Sequence, residues 1–310
     1  MNEPTETIEE RSIEIRGERA RWYELGSDRS APVAHFYHAN GFPFGAYRGL
    51  LEALSGSLHV VGLEMRPLWP DAAEPPRWFR WHHYADDLIE ALDQTQSGPV
   101  VGIGHSMGAS ATVFAAARRP DLFSALVLIE PAFVTRWLTA IEPVVPFALR
   151  RRMEPARGTL RKSGRWPSRD AFLGSYRGRG LFRRVEEPAL QAFADAAVAP
   201  SPDGGVQLVY PRAWEAHNYM CPTSIWADLR RVTVPVIVIA GDPSIFTPRG
   251  TWQKWGRRHP EHVRHHEVGY GHLLPLEAPG RVARIVSSEL GRVLRAPLRS
   301  HQPQSARPDR

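Results

Sequence analysis

The chain has 310 residues, of which 43% are hydrophobic and 23% are charged, with 25 Gly, 28 Pro and one Cys. A chain of this length buries a sizeable core, and its composition excludes collagen, a coiled coil and wholesale disorder. The single cysteine, Cys221, excludes an intrachain disulfide and a cysteine-based metal cluster.

The formal net charge of +6 is unevenly distributed along the chain. Residues 131–184 contain 13 Lys and Arg but only three Asp and Glu, so this segment is more basic than the whole chain. Such a segment attracts nucleic acid, an anionic lipid surface or an acidic substrate. Because no nucleic-acid motif surrounds it, a solvated face is the favoured interpretation, and no nucleic-acid partner is expected.

The two ends of the chain lack apolar periodicity. The first residues are acidic, whereas an export signal needs a basic start and an apolar run. The most apolar stretch, 99–117, is interrupted by three glycines and a histidine, so no membrane span is predicted. We expect a cytoplasmic protein with mobile ends over 1–10 and 297–310.

Short apolar runs alternate with helical patterns over most of the chain. The predicted strands are 12–16 and 21–25, which form a hairpin, followed by 32–37, 59–64, 99–103, 125–129 and 234–240. The predicted helices are 46–54, 82–92, 109–118, 250–257 and 278–294. Parallel strands need crossover connections, so this alternation predicts an α/β fold with a mainly parallel central sheet and helices on both faces.

The alternation stops between residues 131 and 231, where Trp, Arg and Pro accompany short helical pieces. We interpret 131–231 as a largely helical cap inserted into a core formed by 11–130 and 232–296. Open α/β sheets bind ligands at the carboxyl ends of their strands. A cap above those ends would therefore contribute to a substrate pocket.

The strongest local motif is G-x-S-x-G, formed by Gly104, His105, Ser106, Met107 and Gly108 between an apolar strand and an Ala-rich helix. A serine at such a sharp turn has a strained backbone and an exposed hydroxyl, which makes it a candidate nucleophile. The first helical turn also directs backbone N–H groups towards the site. The alternative is an ordinary glycine turn after a strand.

With this motif the chain resembles the serine-nucleophile, esterase-like branch of the α/β-hydrolase fold superfamily. Gly41-Phe42 follows the third strand, where the family carries His-Gly and an apolar residue. The resemblance implies that the backbone N–H groups of Phe42 and Met107 form an oxyanion hole. Asn40 stands where the family often has histidine.

The resemblance also implies a general base in the segment 268–277. Gly271-His272 there is similar to the family's Gly-His pair after the last strand, which makes His272 the candidate base for Ser106. A neutral imidazole accepts the serine proton near neutral pH and returns it to a leaving group.

The orienting acid has two candidates. In most of the family it lies three residues after the glycine that ends the seventh strand, but Ser244 occupies that position here and Asp242 is out of register. Glu130 follows the sixth predicted strand, an alternative position that haloalkane dehalogenase relatives use. Glu130 is the favoured acid, and Asp242 is the alternative.

A serine nucleophile indicates an acyl-enzyme, whereas dehalogenase and epoxide-hydrolase relatives use aspartate. The sequence predicts a cofactor-independent, metal-free hydrolase of small or medium apolar carboxylic esters, lactones or thioesters. Two alternatives stay open: acyl transfer to a non-water acceptor, and a small-molecule binding protein without turnover. The candidate pocket residues are Asn40, Trp69, His105, Phe133, Trp137 and Trp214.

Overall fold

The computed structural model describes residues 7–132, 134–242, 244, 247–259 and 262–294. The strands are β1 (Glu9–Ile15), β2 (Glu18–Leu25), β3 (Val33–Tyr37), β4 (His59–Leu63), β5 (Val100–His105), β6 (Phe123–Ile129), β7 (Arg165–Trp166), β8 (Val198–Pro200), β9 (Val206–Leu208), β10 (Val236–Asp242) and β11 (Val263–Val268). The helices are α1 (Arg48–Ser55), α2 (Trp81–Thr95), α3 (Met107–Arg118), α4 (Arg136–Ile141), α5 (Phe147–Arg150), α6 (Ala156–Arg161), α7 (Arg169–Tyr176), α8 (Glu187–Ala197), α9 (Arg212–Met220), α10 (Trp226–Leu229), α11 (Thr251–Arg258), α12 (Leu274–Glu277) and α13 (Pro279–Val293).

Eight of the strands in the described residues form one sheet in the order β1-β2-β4-β3-β5-β6-β10-β11. The pairs β1/β2 and β2/β4 are antiparallel, and every other neighbouring pair is parallel. The carboxyl ends of β3, β5, β6, β10 and β11 therefore lie at the same edge of the sheet. The predicted α/β fold is confirmed.

The sheet separates two apolar cores, because successive side chains on a strand point to opposite faces. On β6, Leu126 and Leu128 belong to one core, with side chains from α2, α3 and α11. Val127 and Ile129 belong to the other core, with side chains from α1 and α13. The near-continuous hydrophobic sequence of β6 follows from this burial on both faces.

The structure extends the first predicted strand and adds a sheet strand that was not predicted. β1 begins at Glu9, which pairs with Glu24 of β2, so residues 9 and 10 belong to the sheet rather than to an end segment. β11 was not among the predicted strands, because its sequence, Val-Arg-His-His-Glu-Val, lacks an apolar run. It is an edge strand that pairs with β10 alone, so it needs less apolar surface. Residues 1–6 and 297–310 lie outside the described residues.

The segment between β6 and β10 contains α4 to α10 and a small sheet in the order β7-β9-β8. Two- and three-residue strands carry too little periodicity to be predicted from sequence, which is why this sheet was missed. The division into 11–130 with 232–296 and a cap over 131–231 stays a prediction. Within the part of the chain that the structure describes, no helix combines the length and the apolar character that a membrane crossing requires.

Candidate active site

Ser106 lies at a sharp turn between β5 and α3, with φ 54° and ψ −116°. A positive φ is strained for a residue with a side chain and often marks a functional site. The flanking glycines permit the turn. A Cβ on Gly104 would lie 2.5 Å from the backbone nitrogen of Ala109, and one on Gly108 would lie 2.2 Å from the carbonyl oxygen of Tyr37. The G-x-S-x-G pattern is therefore a requirement of close backbone packing.

His272 connects Ser106 to a buried carboxylate. Its Nε2 is 3.0 Å from Oγ of Ser106, and its Nδ1 is 3.1 Å from Oε2 of Glu130. Only 7% of His272 and 1% of Glu130 are exposed. A carboxylate accepts hydrogen bonds, so Nδ1 carries the proton and the Nε2 lone pair faces the serine hydroxyl. This is the arrangement in which the imidazole accepts a proton from the hydroxyl.

Glu130 directly follows β6 and also has a positive φ, 43°. Its Oε1 accepts a hydrogen bond from the backbone N–H of Gly241 at 2.5 Å, and its Oε2 accepts one from Oγ of Ser244 at 2.7 Å. Both donors come from the segment where the family more often carries the acid. Ser244 therefore holds the carboxylate of Glu130 from the position that a family acid would occupy.

Asp242, the alternative acid, lies at the end of β10 and has a different partner. Its Oδ2 accepts a hydrogen bond from Nη2 of Arg249 at 3.0 Å. Nδ1 of His272 contacts Glu130. The structure thus brings together Ser106, His272 and Glu130.

A chain of buried hydrogen bonds joins three loops at this site. The backbone N–H of Ala39 donates to Oη of Tyr47 at 3.2 Å, and the Tyr47 hydroxyl donates to Nδ1 of His105 at 2.7 Å. Nε2–H of His105 then donates to the carbonyl oxygen of His272 at 2.8 Å. Burial, with a smaller contribution from nearby His272, holds the pKa of His105 well below its usual value. His105 is therefore neutral, as this donor and acceptor pattern requires.

The two expected oxyanion donors differ in their surroundings. Met107 begins α3, so its N–H is one of those in the first turn that have no acceptor within the helix. The N–H of Phe42 donates to the carbonyl oxygen of Ala39 at 3.2 Å, in a turn where Gly41 has φ 81°. The Phe42 donor is therefore engaged in a long hydrogen bond rather than directed only at the site.

Asn40 connects the same turn to the segment between β6 and β10. Its Nδ2 donates to the carbonyl oxygen of Glu215 at 3.0 Å. Its Oδ1 accepts from the hydroxyl of Tyr210 at 3.0 Å and from Nδ2 of Asn218 at 2.9 Å. Sequence reasoning missed Tyr210 and Asn218, since neither belongs to a motif and both lie about 170 residues from Asn40 along the chain.

A cavity of about 410 Å³ opens beside the reactive groups. Ser106, His272, Asn40 and His105 contribute to its wall. Most of its other lining residues are apolar: Ala39, Phe42, Trp81, Met107, Ala132, Val134, Leu138, Ile141, Val145, Met153, Pro155, Ala156, Leu181, Met220 and Pro222. Asn40 and His105 thus lie at the pocket for which the sequence proposed them.

The tryptophans proposed for this pocket lie elsewhere. Trp69 and Trp214 are buried in a core, where each indole N–H donates to a backbone carbonyl oxygen at 2.6 Å. Trp137 is 64% exposed and does not line the cavity. These three expectations are corrected, because core packing and solvent exposure rather than the cavity account for these side chains. Phe133 lies outside the described residues.

The chain is similar to known hydrolases. It is 25% identical over 238 residues to the 2-(acetamidomethylene)succinate hydrolase of Mesorhizobium japonicum, covering 75% of this chain and 78% of that protein. It is 25% identical over 207 residues to Lipase LipV of Mycobacterium tuberculosis, covering 66% and 73%. A crystal structure of E-2-(acetamidomethylene)succinate hydrolase superimposes with a TM-score of 0.76 at 21% identity, covering 92% of this chain and all of that one.

The match to a family extends over most of the chain. The profile of the alpha/beta hydrolase family matches residues 31–285, which include β3 to β11, the G-x-S-x-G turn and His272. The relatives named above are enzymes that hydrolyse their substrates, as their names state. The chain is a hydrolase of the alpha/beta hydrolase family.

Proposed function

We propose that this protein is a serine hydrolase that cleaves a small or medium apolar carboxylic ester, lactone or thioester through an acyl-enzyme. The observation that carries the proposal is the pair of hydrogen bonds at His272, 3.0 Å to the Ser106 hydroxyl and 3.1 Å to the Glu130 carboxylate. The strained turn at Ser106 supports it, because strain of this kind is typical of a nucleophile elbow.

In the first half of the reaction, Oγ of Ser106 attacks the substrate carbonyl carbon while Nε2 of His272 accepts the hydroxyl proton. The Glu130 carboxylate stabilises the resulting imidazolium. The backbone N–H groups of Met107 and Phe42 hold the oxyanion, and each such donor contributes about 3 kcal/mol where it has been measured. The Phe42 N–H exchanges its long turn hydrogen bond to Ala39 for the oxyanion.

The tetrahedral intermediate then collapses and the bond from carbon to the leaving oxygen or sulfur breaks. The imidazolium gives its proton to the leaving alcohol or thiol, and an ester to Ser106 remains. In the second half, His272 takes a proton from water as the water oxygen attacks the acyl carbon. Collapse returns that proton to Ser106 and releases the carboxylic acid.

The apolar wall of the cavity supports an apolar acyl group as the recognised part of the substrate. The name of one relative, a lipase, is consistent with an ester. Each buried methylene contributes about 0.8 kcal/mol, so kcat/KM is expected to rise about fourfold for each added methylene until the cavity is filled.

A series of p-nitrophenyl esters of increasing acyl length tests this expectation. The matched variant is Ala132→Leu, which reduces the cavity at its wall and should move the optimum to a shorter acyl chain. Two results would contradict an apolar acyl site in this cavity. One is a kcat/KM that does not change with acyl length in wild type, and the other is an optimal acyl length that is the same in the variant.

A further inference from the structure

Seven large hydrophobic side chains are strongly exposed in the described residues, and they are not scattered over the surface. Five of them fall within residues 137–153, and a sixth, Trp78, follows Arg77, whose guanidinium lies 5.5 Å from the ring of Phe147 in α5. We call these six the apolar patch: Trp78, Trp137, Ile141, Val144, Leu149 and Met153. Trp78, Trp137 and Val144 are 65%, 64% and 78% exposed. A soluble monomer rarely leaves such a cluster uncovered without a function for it.

Two residues of the apolar patch also belong to the cavity beside Ser106. Ile141 is 41% exposed and Met153 is 50% exposed, yet both also line the cavity. Ile141 ends α4, and Met153 lies three residues after α5. The apolar patch is therefore continuous with the wall of the candidate active site through these two residues.

The charge beside the apolar patch is positive. Residues 136–157 contain five arginines and two acidic residues, a net charge of +3. Both acidic residues, Glu142 and Glu154, pair with arginines of the same segment. Arg136, Arg151 and Arg152 are exposed, and across the described ranges no acidic side chain forms an ion pair with them.

We propose that the apolar patch and these three arginines dock on an anionic lipid surface. The apolar side chains would enter the boundary between headgroups and acyl chains, while the arginines pair with lipid phosphates. A second copy of the chain is a poorer occupant, because two such faces would bring +3 against +3. The docking surface goes beyond the proposed hydrolysis and does not depend on turnover at Ser106.

Vesicle co-sedimentation of the full chain tests the proposal. The protein should bind vesicles of phosphatidylcholine mixed with phosphatidylglycerol, bind pure phosphatidylcholine vesicles far less, and dissociate as salt is raised. The double variant Arg151→Gln/Arg152→Gln should lose about fivefold in partition coefficient for each arginine removed. The matched control, Arg257→Gln/Arg258→Gln, removes two adjacent exposed arginines of α11 and should bind as wild type does.

The apolar contribution has its own pair of variants. Val144→Ser removes an exposed side chain of the apolar patch and should weaken binding severalfold, whereas Leu294→Ser, at a residue 44% exposed elsewhere, should not. Neither residue is part of the buried core, so folding should be retained in each case. Fluorophosphonate labelling without vesicles reports separately on Ser106, so a failure of the proposed function would abolish labelling and leave vesicle binding intact.

Three results would overturn the proposal. One is the absence of binding to the anionic vesicles by wild type. Another is equal loss of binding in the α11 control, which would indicate net charge rather than a local surface. The third is a dimer in analytical ultracentrifugation that Val144→Ser dissociates, which would assign the apolar patch to a second copy of the chain.

Discussion

The hydrogen bond between Glu130 and Nδ1 of His272 determines which ring nitrogen carries the proton. A carboxylate only accepts, so it selects the tautomer whose Nε2 lone pair faces Ser106. Gly241 and Ser244 hold the carboxylate itself in position. The chemistry of the site thus depends on one acceptor.

Replacing that acceptor by an amide tests its role. In Glu130→Gln, an amide nitrogen facing Nδ1 is a donor, so the ring proton moves to Nε2 and the base is lost. We expect kcat to fall by about 10⁴-fold, the effect of the equivalent change in a related triad. The isosteric control, Asp242→Asn, should change kcat by less than about threefold, since Asp242 pairs with Arg249, whose side chain is 84% exposed. The reverse order of these effects would assign the orienting acid to Asp242.

At this scale the sequence predicted some residues and not others for physical reasons. Ser106 lies in a local motif, because the close packing of its sharp turn restricts the neighbours to small residues. His272 was identified by the resemblance of Gly271-His272 to the family's Gly-His pair. The sequence could not decide whether Glu130 or Asp242 orients His272. The answer depends on where each side chain points at the ends of two strands, β6 and β10, that are neighbours only in the folded sheet. The expected roles of Trp69 and Trp214 were wrong, since an aromatic side chain in a core and one in a pocket have the same sequence signal.

At the scale of elements, parallel strands bring the loops after β3, β5, β6, β10 and β11 to one edge of the sheet. The chain of buried hydrogen bonds through Tyr47 and His105 connects the segments after β3, β5 and β11. Asn40 adds a connection from the loop after β3 to α9, through Glu215 and Asn218. The position of the candidate oxyanion donors thus depends on contacts outside the sheet.

Asn40→Ala tests that dependence. The variant removes the hydrogen bond from the turn that contains Phe42 to the carbonyl oxygen of Glu215. It also removes the oxygen that accepts from both the Tyr210 hydroxyl and the Asn218 amide. We expect a fall of about tenfold or more in kcat with a smaller change in KM, because the oxyanion is bound only in the transition state. Tyr210→Phe, which removes one of the three hydrogen bonds, should have a smaller effect. A lower Tm with an unchanged kcat would indicate a purely structural role.

The strands that are buried on both faces of the sheet were predictable from the sequence. β3, β5, β6 and β10 are nearly fully buried and read as apolar runs. β11 was missed because an edge strand tolerates Arg, His and Glu. Between β6 and β10, the helical piece predicted at 188–198 corresponds to α8. The helices of four to six residues, α4, α5, α6 and α10, were not resolved from sequence, since each is shorter than two helical turns.

At the scale of the whole molecule, folding buries histidines in their neutral form. His35 of β3 is fully buried, and its Nε2 accepts the backbone N–H of Leu63 at 3.1 Å. Burial, with a smaller effect of His38, lowers the pKa of His35 to about 3. Burial lowers the pKa of His105 as well. The unfolded chain therefore binds more protons than the folded one once the pH falls below about 6.5.

The sign of this difference makes the protein less stable in acid. The contribution of His35 is fully present above about pH 6.5 and is lost as the pH falls towards about 3, by about tenfold in the folding equilibrium for each pH unit. Denaturant unfolding across this window should show a free energy of unfolding that decreases as the pH is lowered. His35→Gln keeps an acceptor for Leu63 without a titrating group, so its profile should be shallower. An identical slope in the variant would contradict a neutral buried His35.

Intact-mass measurement after exposure to a fluorophosphonate shows whether Ser106 is an activated nucleophile. The probe needs only a reactive serine and an oxyanion site, so the natural substrate need not be known. We expect one adduct on wild type, none on Ser106→Ala and one on Ser110→Ala, a buried serine one helical turn later whose hydroxyl donates to the carbonyl oxygen of Ser106. An adduct that persists in Ser106→Ala, or no adduct on folded wild type, would contradict an activated Ser106.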